Sequence, residues 1–155
     1  MNGVAYGGVA VSWKKAVFTS MEEIAYKNPE KFEMVVTATS LKGHSRKLVV
    51  VGCYLPPNYT KKRAVAAMDY LSDIVVDLKR RFQDPFIIIG GDFNQWRVEE
   101  ALVDFVNIKE APVGCTTGGR AIDRIFTNMR RPLRTAARWH RWKQKERSRY
   151  QATIG

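Results

Sequence analysis

Hydrophobic positions along this chain follow two different periods. Over residues 30–40, apolar Phe32, Met34, Val36 and Ala38 alternate with polar neighbours, the pattern of a half-buried strand. Residues 8–13 alternate in the same way. Residues 48–54 are nearly all apolar, which predicts a central strand. The polar stretch 41–47, broken at Gly43, is the turn before it. The period then lengthens. Thr60 is placed to cap a helix running to about Phe82, with Val65, Met68, Leu71, Ile74, Val75, Leu78 and Phe82 at helical spacing. Lys61, Lys62, Asp69, Asp73, Asp77 and Arg80 fall on the other face with both signs represented equally, as on a solvated face. After Pro85 comes a second β-branched run, Ile87-Ile88-Ile89, ended by Gly90-Gly91. Residues 98–106 have the pattern of a short helix, 108–111 of a short strand, and 121–126 of a last strand. Strands outnumber helices, and several connections are short enough for hairpins. The pattern therefore predicts an α/β (α+β) protein, with helices on the outer face of a mixed sheet.

The chemistry concentrates where the isoleucine strand ends. Asp92 and Asn94 follow Gly90-Gly91 two residues apart, at the carboxyl end where open α/β sheets bind ligands. A carboxylate there can hold a metal or take a proton from water, and an amide can donate to a phosphate oxygen. Phe93 between them would point away and pack. Read alone, the pair serves equally as a polar turn. Tyr54, also at a strand end, read alone suits a packed ring with a wet hydroxyl. Asp123 takes a polar position in an alternating strand. His44 sits in a polar turn and reads as a surface residue. Gly118-Gly119 precedes a strand, not a helix, and so is no phosphate loop.

Taken together and in order, four segments resemble the endonuclease/exonuclease/phosphatase superfamily. They are Tyr6-Gly7-Gly8-Val9-Ala10-Val11, the strand ending Tyr54-Leu55-Pro56-Pro57-Asn58, Gly91-Asp92-Phe93-Asn94, and Ile122-Asp123-Arg124-Ile125 with Phe126-Thr127-Asn128 behind it. The superfamily includes deoxyribonuclease I-like enzymes, apurinic endonucleases and the endonuclease domain of LINE-type (non-LTR) retrotransposons. The Pro-Pro pair, Trp96 and the Phe-Thr-Asn ending are most similar to the retrotransposon branch.

The resemblance implies a deoxyribonuclease I-like fold, here a partial four-layer α/β/β/α sandwich with mixed sheets. It implies a hydrolase, a phosphodiesterase using Mg (or Mn) on DNA or another phosphodiester substrate. By it, Asp92 would orient or deprotonate the attacking water and bind the metal weakly. Asn94 would steady the phosphoryl oxygens, Tyr54 would hydrogen-bond the scissile phosphate, and Asp123 would orient a catalytic histidine. The family pattern also carries a metal-binding Glu before the Gly-Gly strand and a closing Ser-Asp-His. Neither stands in this sequence: Glu22 and Glu23 follow the strand, and His140 has no Asp before it. On this reading the chain is the central part of the domain, truncated at both ends, and its activity is impaired.

Composition adds a division. The net charge is +11, yet residues 130–155 hold nine Lys or Arg and one acid, so that stretch carries +8 and residues 1–129 only +3. Residues 1–129 read as the partial domain and 130–155 as a basic tail. There Arg138, Trp139, Arg141, Trp142 and Lys143 interleave cations that grip phosphates with rings that stack on bases. A solvated end without a specific role has the same composition. Cys53 and Cys115 form neither a disulfide framework nor a zinc site, and Cys53 reads as a buried free thiol. An intracellular setting, cytoplasmic or nuclear, fits that usage, with no membrane partner, signal peptide or spanning run. Three alternatives stay beside the endonuclease reading: a non-catalytic nucleic-acid-binding remnant, a small-molecule phosphatase of the same superfamily, and a gene fragment.

Overall fold

A computed structural model describes residues 8–109 and 122–129, with the backbone alone for 106–109. Strand β1 (Phe18–Glu23), β2 (Glu33–Leu41) and β3 (Lys47–Tyr54) are followed by helix α1 (Lys61–Arg81). Then come β4 (Phe86–Asp92), one 3-10 turn (Val98–Glu100), β5 (Val106–Lys109) and β6 (Asp123–Thr127). The strands form one sheet in the order β1-β2-β3-β4-β6-β5. Only β3 and β4 are parallel, and α1 is the crossover such a pair requires. The sheet is therefore mixed, and the α/β class expected from the pattern is observed.

The helix begins and ends where its side chains dictate. The Thr60 hydroxyl accepts from Arg63 N at 3.3 Å, capping one of the unpaired N–H groups of the first turn. Phe82 closes the other end by donating to Leu78 O at 3.1 Å, and Lys79, Arg80 and Arg81 lie against the negative end of the helix dipole. Strand register puts Val36, Ala38, Val49, Val51, Cys53, Ile87, Ile89 and Phe126 on one face. These buried residues form one core with Ala64, Ala67, Leu71, Ile74, Val75 and Leu78 of α1. On the other face, Gly52 admits Val9 and Val11: a Cβ there would lie 2.6 Å from Val9 Cγ1.

Four sequence expectations need correction. The alternation over 8–13 does match alternating exposure, but those residues join no ladder among the described residues. They lie extended across Gly52 instead. The edge strand is β1, whose residues 19–23 are all exposed and so carry no hydrophobic period. Residues 98–106 are not a helix. Among residues 98–105 only Val98 and Leu102 are buried, Val103 is 81% exposed, and Phe105 N closes a turn onto Leu102 O at 2.9 Å, so nothing supports a second helical turn. On α1, Val65 is 43% exposed, and the small Ala64 and Ala67 take the buried positions. At about 100° per residue, Ala64 and Ala67 fall within the arc of Leu71, Ile74, Val75 and Leu78, and Val65 falls outside it.

The described residues make a sheet and one helix layer; the further sheet and helix layer of a four-layer sandwich are not formed among them. No helix among the described residues is long and apolar enough to cross a membrane.

Candidate active site

Three of the predicted site residues stand side by side. Tyr54 at the end of β3 pairs with Asp92 at the end of β4, and Asp92 pairs with Asp123 at the start of β6. Directly paired residues share a face and sit about 4.5–5.5 Å apart. The row lies on the sheet face away from α1, because the intervening odd positions of β3 and β4 belong to the helix-side core. Tyr54 and Asp92 are half-buried and Asp123 is exposed. Glu33 extends the row on β2, opposite Tyr54, with its Oε2 buried and unpaired among the described residues.

A close approach of backbones sets this end of the sheet. At Gly91 a Cβ would lie 1.8 Å from the carbonyl oxygen of Cys53, so no other residue fits without moving β3 from β4. Beyond it the chain turns sharply. Asp92 Oδ1 accepts from Asn94 N at 2.9 Å, and Asn94 takes the left-handed conformation with φ 49°. Oδ1 thus spends one of its two lone pairs on the turn, which leaves its second and those of Oδ2 for a ligand. Phe93 is fully buried with its ring edge-on to Phe126, as its spacing predicted.

The turn is then stapled to the loop that follows Tyr54. Asn94 Nδ2 donates to Leu55 O at 2.8 Å, Trp96 Nε1 to Pro56 O at 3.0 Å, and Gln95 Nε2 to Pro57 O at 2.7 Å. The backbone adds Leu55 N to Asp92 O at 3.0 Å and Phe93 N to Ile122 O at 2.9 Å. One N–H of Asn94 is therefore engaged, and a donor role toward a phosphoryl oxygen falls to its other N–H.

From β6, Arg124 reaches under the same turn. Its guanidinium donates to Trp96 O at 2.8 Å, to Asn94 O at 3.0 Å, and to both oxygens of Glu99 at 3.1 and 3.2 Å. Gln95 and Arg124 were missed in the sequence, and Trp96 was read there only as a branch marker. The one available signal is three side-chain donors in succession after the turn, facing a Pro-Pro loop rich in unpaired carbonyls.

Among the described residues no group of three or more His, Cys, Asp or Glu could hold a metal ion. His44 is exposed in the β2–β3 turn, at the other end of the sheet from Asp92. Cys53 lies behind the site on the helix side, and burial pushes its thiol up to about 12. The Tyr6-Gly7 part of the first motif, Gly118 to Ala121, Cys115, and the tail residues Arg138, Trp139, Arg141, Trp142 and Lys143 lie outside the described residues.

A mixed sheet with a helix on one face and an acid-, amide- and phenol-bearing row at its strand ends defines an α/β protein with a polar site. The sequence model of the Endonuclease/Exonuclease/phosphatase family matches residues 1–146. The chain belongs to that family. No curated protein matches it. Among solved structures, truncated TDP2 of Caenorhabditis elegans is similar at 13% identity and a TM-score of 0.49, covering 75% of this chain and 55% of that one. The human Nocturnin catalytic domain with bound sulfate is similar at 17% identity and a TM-score of 0.49, covering 72% and 47%. An endonuclease/exonuclease/phosphatase family protein of Bacteroides thetaiotaomicron is similar at 16% identity and a TM-score of 0.45, covering 61% and 40%. The chain thus spans about half the length of the structures it matches.

Proposed function

We propose that this chain is part of a divalent-metal-dependent phosphodiesterase that hydrolyses DNA, of the LINE-type endonuclease branch. The observation that carries the reading is the Tyr54–Asp92–Asp123 row. Sequence positions far apart are brought into one line on one face, at the strand ends.

The row fits a cation electrostatically. Two carboxylates directly opposite each other on neighbouring strands repel, and a bound cation offsets that repulsion. Mg²⁺ keeps several waters and is satisfied with one or two carboxylates. Asp92 would hold it, weakly, with Asp123 adjacent. When bound, the ion supplies charge neutralisation at the phosphoryl oxygens and acidifies water.

The remaining roles belong to the chain's own groups. The Tyr54 hydroxyl donates to a nonbridging phosphate oxygen. The free N–H of Asn94 donates to another. Asp92 orients the attacking water and receives its proton. Asp123 accepts from an imidazole N–H, which would fix the tautomer of that ring. No described histidine stands near it, and no cluster of three metal-binding groups forms around Asp92 among the described residues. A general acid–base group is worth about 10²–10⁴ in rate and an electrostatic group about 10²–10³. Turnover supported by the described groups alone is therefore expected to fall several powers of ten below that of a site with both.

The deciding experiment is nicking of supercoiled plasmid in magnesium, with EDTA and Asp92→Ala as controls. Slow nicking that needs both the metal and Asp92 supports the reading. Nicking untouched by Asp92→Ala would sink it. A second reading, non-catalytic nucleic-acid binding, is favoured by the +8 charge of residues 130–155. It predicts salt-dependent DNA binding that disappears when those residues are deleted. Binding unchanged by the deletion removes the tail from consideration.

A further inference from the structure

We infer that Arg124 is a positioning residue that holds the Asp92–Asn94 turn in its working geometry, an inference that rests on the phosphodiesterase reading for its purpose but not for its test. The turn has an intrinsic problem. Asn94 is held at φ 49°, a left-handed conformation that asparagine tolerates better than most non-glycine residues but that its hydrogen bonds must still maintain. Relaxation of Asn94 toward ordinary φ would redirect the chain beyond it, moving Asn94 O and Trp96 O. It would also release its side chain from Leu55 O. The Asn94 amide beside the row would then turn freely.

Arg124 opposes that relaxation from the other side of the turn. Arg124 is the partner of Gly91 in the β4–β6 ladder, so its side chain leaves the sheet on the face opposite Asp92 and Asp123. It does not belong to the polar row. From there the guanidinium collects two carbonyls, Asn94 O and Trp96 O, and the Glu99 carboxylate. The side chain is only 12% exposed, so the fork is shielded from competing water. A planar, pre-organised fork can bind three acceptors at once, which an ammonium on a flexible stem does poorly. Glu99 fixes the guanidinium and leaves its remaining N–H groups aimed at the turn.

The position also explains a division of labour within Asp123-Arg124. Adjacent strand residues point to opposite faces. Asp123 thus joins the row, while its neighbour braces the loop that carries the row's other acid. The two functions are locked in register because they lie on one strand.

The test compares the wild type with Arg124→Gln and Arg124→Lys by hydrogen exchange, following the Asn94 amide, the Trp96 amide and indole N–H, and the amides of α1. Loss of one charge-assisted hydrogen bond corresponds to about tenfold in local opening. Arg124→Gln should speed exchange at Asn94 and Trp96 by about that factor and leave α1 unchanged, with Arg124→Lys in between. Unchanged exchange at Asn94 and Trp96 would overturn the assignment. So would equal acceleration in α1, which would mark a general loss of stability. In the nicking assay Arg124→Gln should lower kcat and leave KM in place. A wild-type chain that does not nick DNA at all sinks the phosphodiesterase reading alone, and the exchange comparison still decides whether Arg124 holds the turn.

Discussion

The contact between Gly91 and Cys53 makes a sharp prediction. In Gly91→Ala the new methyl carbon would stand 1.8 Å from Cys53 O, 2.7 Å from its carbonyl carbon and 3.0 Å from its nitrogen. Favourable heavy-atom separations are about 3.5–4.0 Å, so the two strands must part by well over an ångström. The obstacle is backbone, and no rotamer change relieves it. Overpacking of this kind costs about 1–3 kcal/mol. Parting the strands also breaks ladder bonds near Leu55 and Asp92, at about 1 kcal/mol each. A total of about 3–5 kcal/mol follows, large against the roughly 5–15 kcal/mol that holds a domain together. For a chain of this size, each kcal/mol shifts Tm by about 2–4 °C, so a fall of about 6–20 °C is expected. Gly90→Ala is the control. Its methyl would meet Ile125 Cγ1 at 3.6 Å and Arg124 O at 3.8 Å, ordinary contacts, and its Tm should stay within about 3 °C. Thermal unfolding followed by circular dichroism measures both. Equal falls in the two variants, or no fall in Gly91→Ala, would refute the argument that backbone contact with Cys53 is what demands glycine.

Other perturbations have defined outcomes. Phe93→Ala removes a fully buried ring packed on Phe126 and should cost about 3–5 kcal/mol in chemical denaturation. Thr60→Ala deletes the helix cap and should cost about 1 kcal/mol in the same measurement. The Tyr26–Asp77 hydrogen bond gives two pH limbs. The Tyr26 hydroxyl, then Arg80, holds the Asp77 carboxyl below its ordinary 3.8, so that stabilisation is complete above 3.8 and is lost as pH falls through the lowered value. Burial, then the Asp77 bond, raises Tyr26 above its ordinary 10.0, so its contribution is complete below pH 10 and is lost as pH rises beyond that. Tyr26→Phe should flatten both limbs in a Tm-versus-pH profile. A profile unchanged at both ends would show the bond to be without energetic consequence.

What could be read from the sequence divides along physical lines. Helix α1 was legible because its signals are local: a Thr cap, a 3.6-residue period and a Pro beyond its end. Strands β2, β3, β4 and β6 were legible from composition and alternation. Strand β1 was not, because an exposed edge strand such as Phe18–Glu23 owes its existence to pairing with β2 and has no buried face to write into the sequence. The supposed helix at 98–106 failed for the converse reason. Its apolar residues permitted a helix, but Val103 faces solvent and only Val98 and Leu102 are buried among residues 98–105. At the site, Asp92, Tyr54 and Asp123 could each be singled out, yet their alignment is a matter of register between strands distant in sequence. Arg124 was invisible because an arginine in an alternating strand looks like any solvent-facing cation. Its acceptors are carbonyls, which every residue has.

Cys53 gives the molecule a built-in gauge. Its thiol is sealed on the helix side of the strand whose carbonyl touches Gly91, and its raised pKa leaves almost no thiolate at neutral pH. An alkylating reagent can therefore reach it only when the helix-side core that covers β3 opens. With Cys115 replaced by serine, the rate of labelling under native conditions would read the population of that opened form directly. The strand that carries it ends in Tyr54, so the thiol reports, from behind, how often the layer that backs the site comes away.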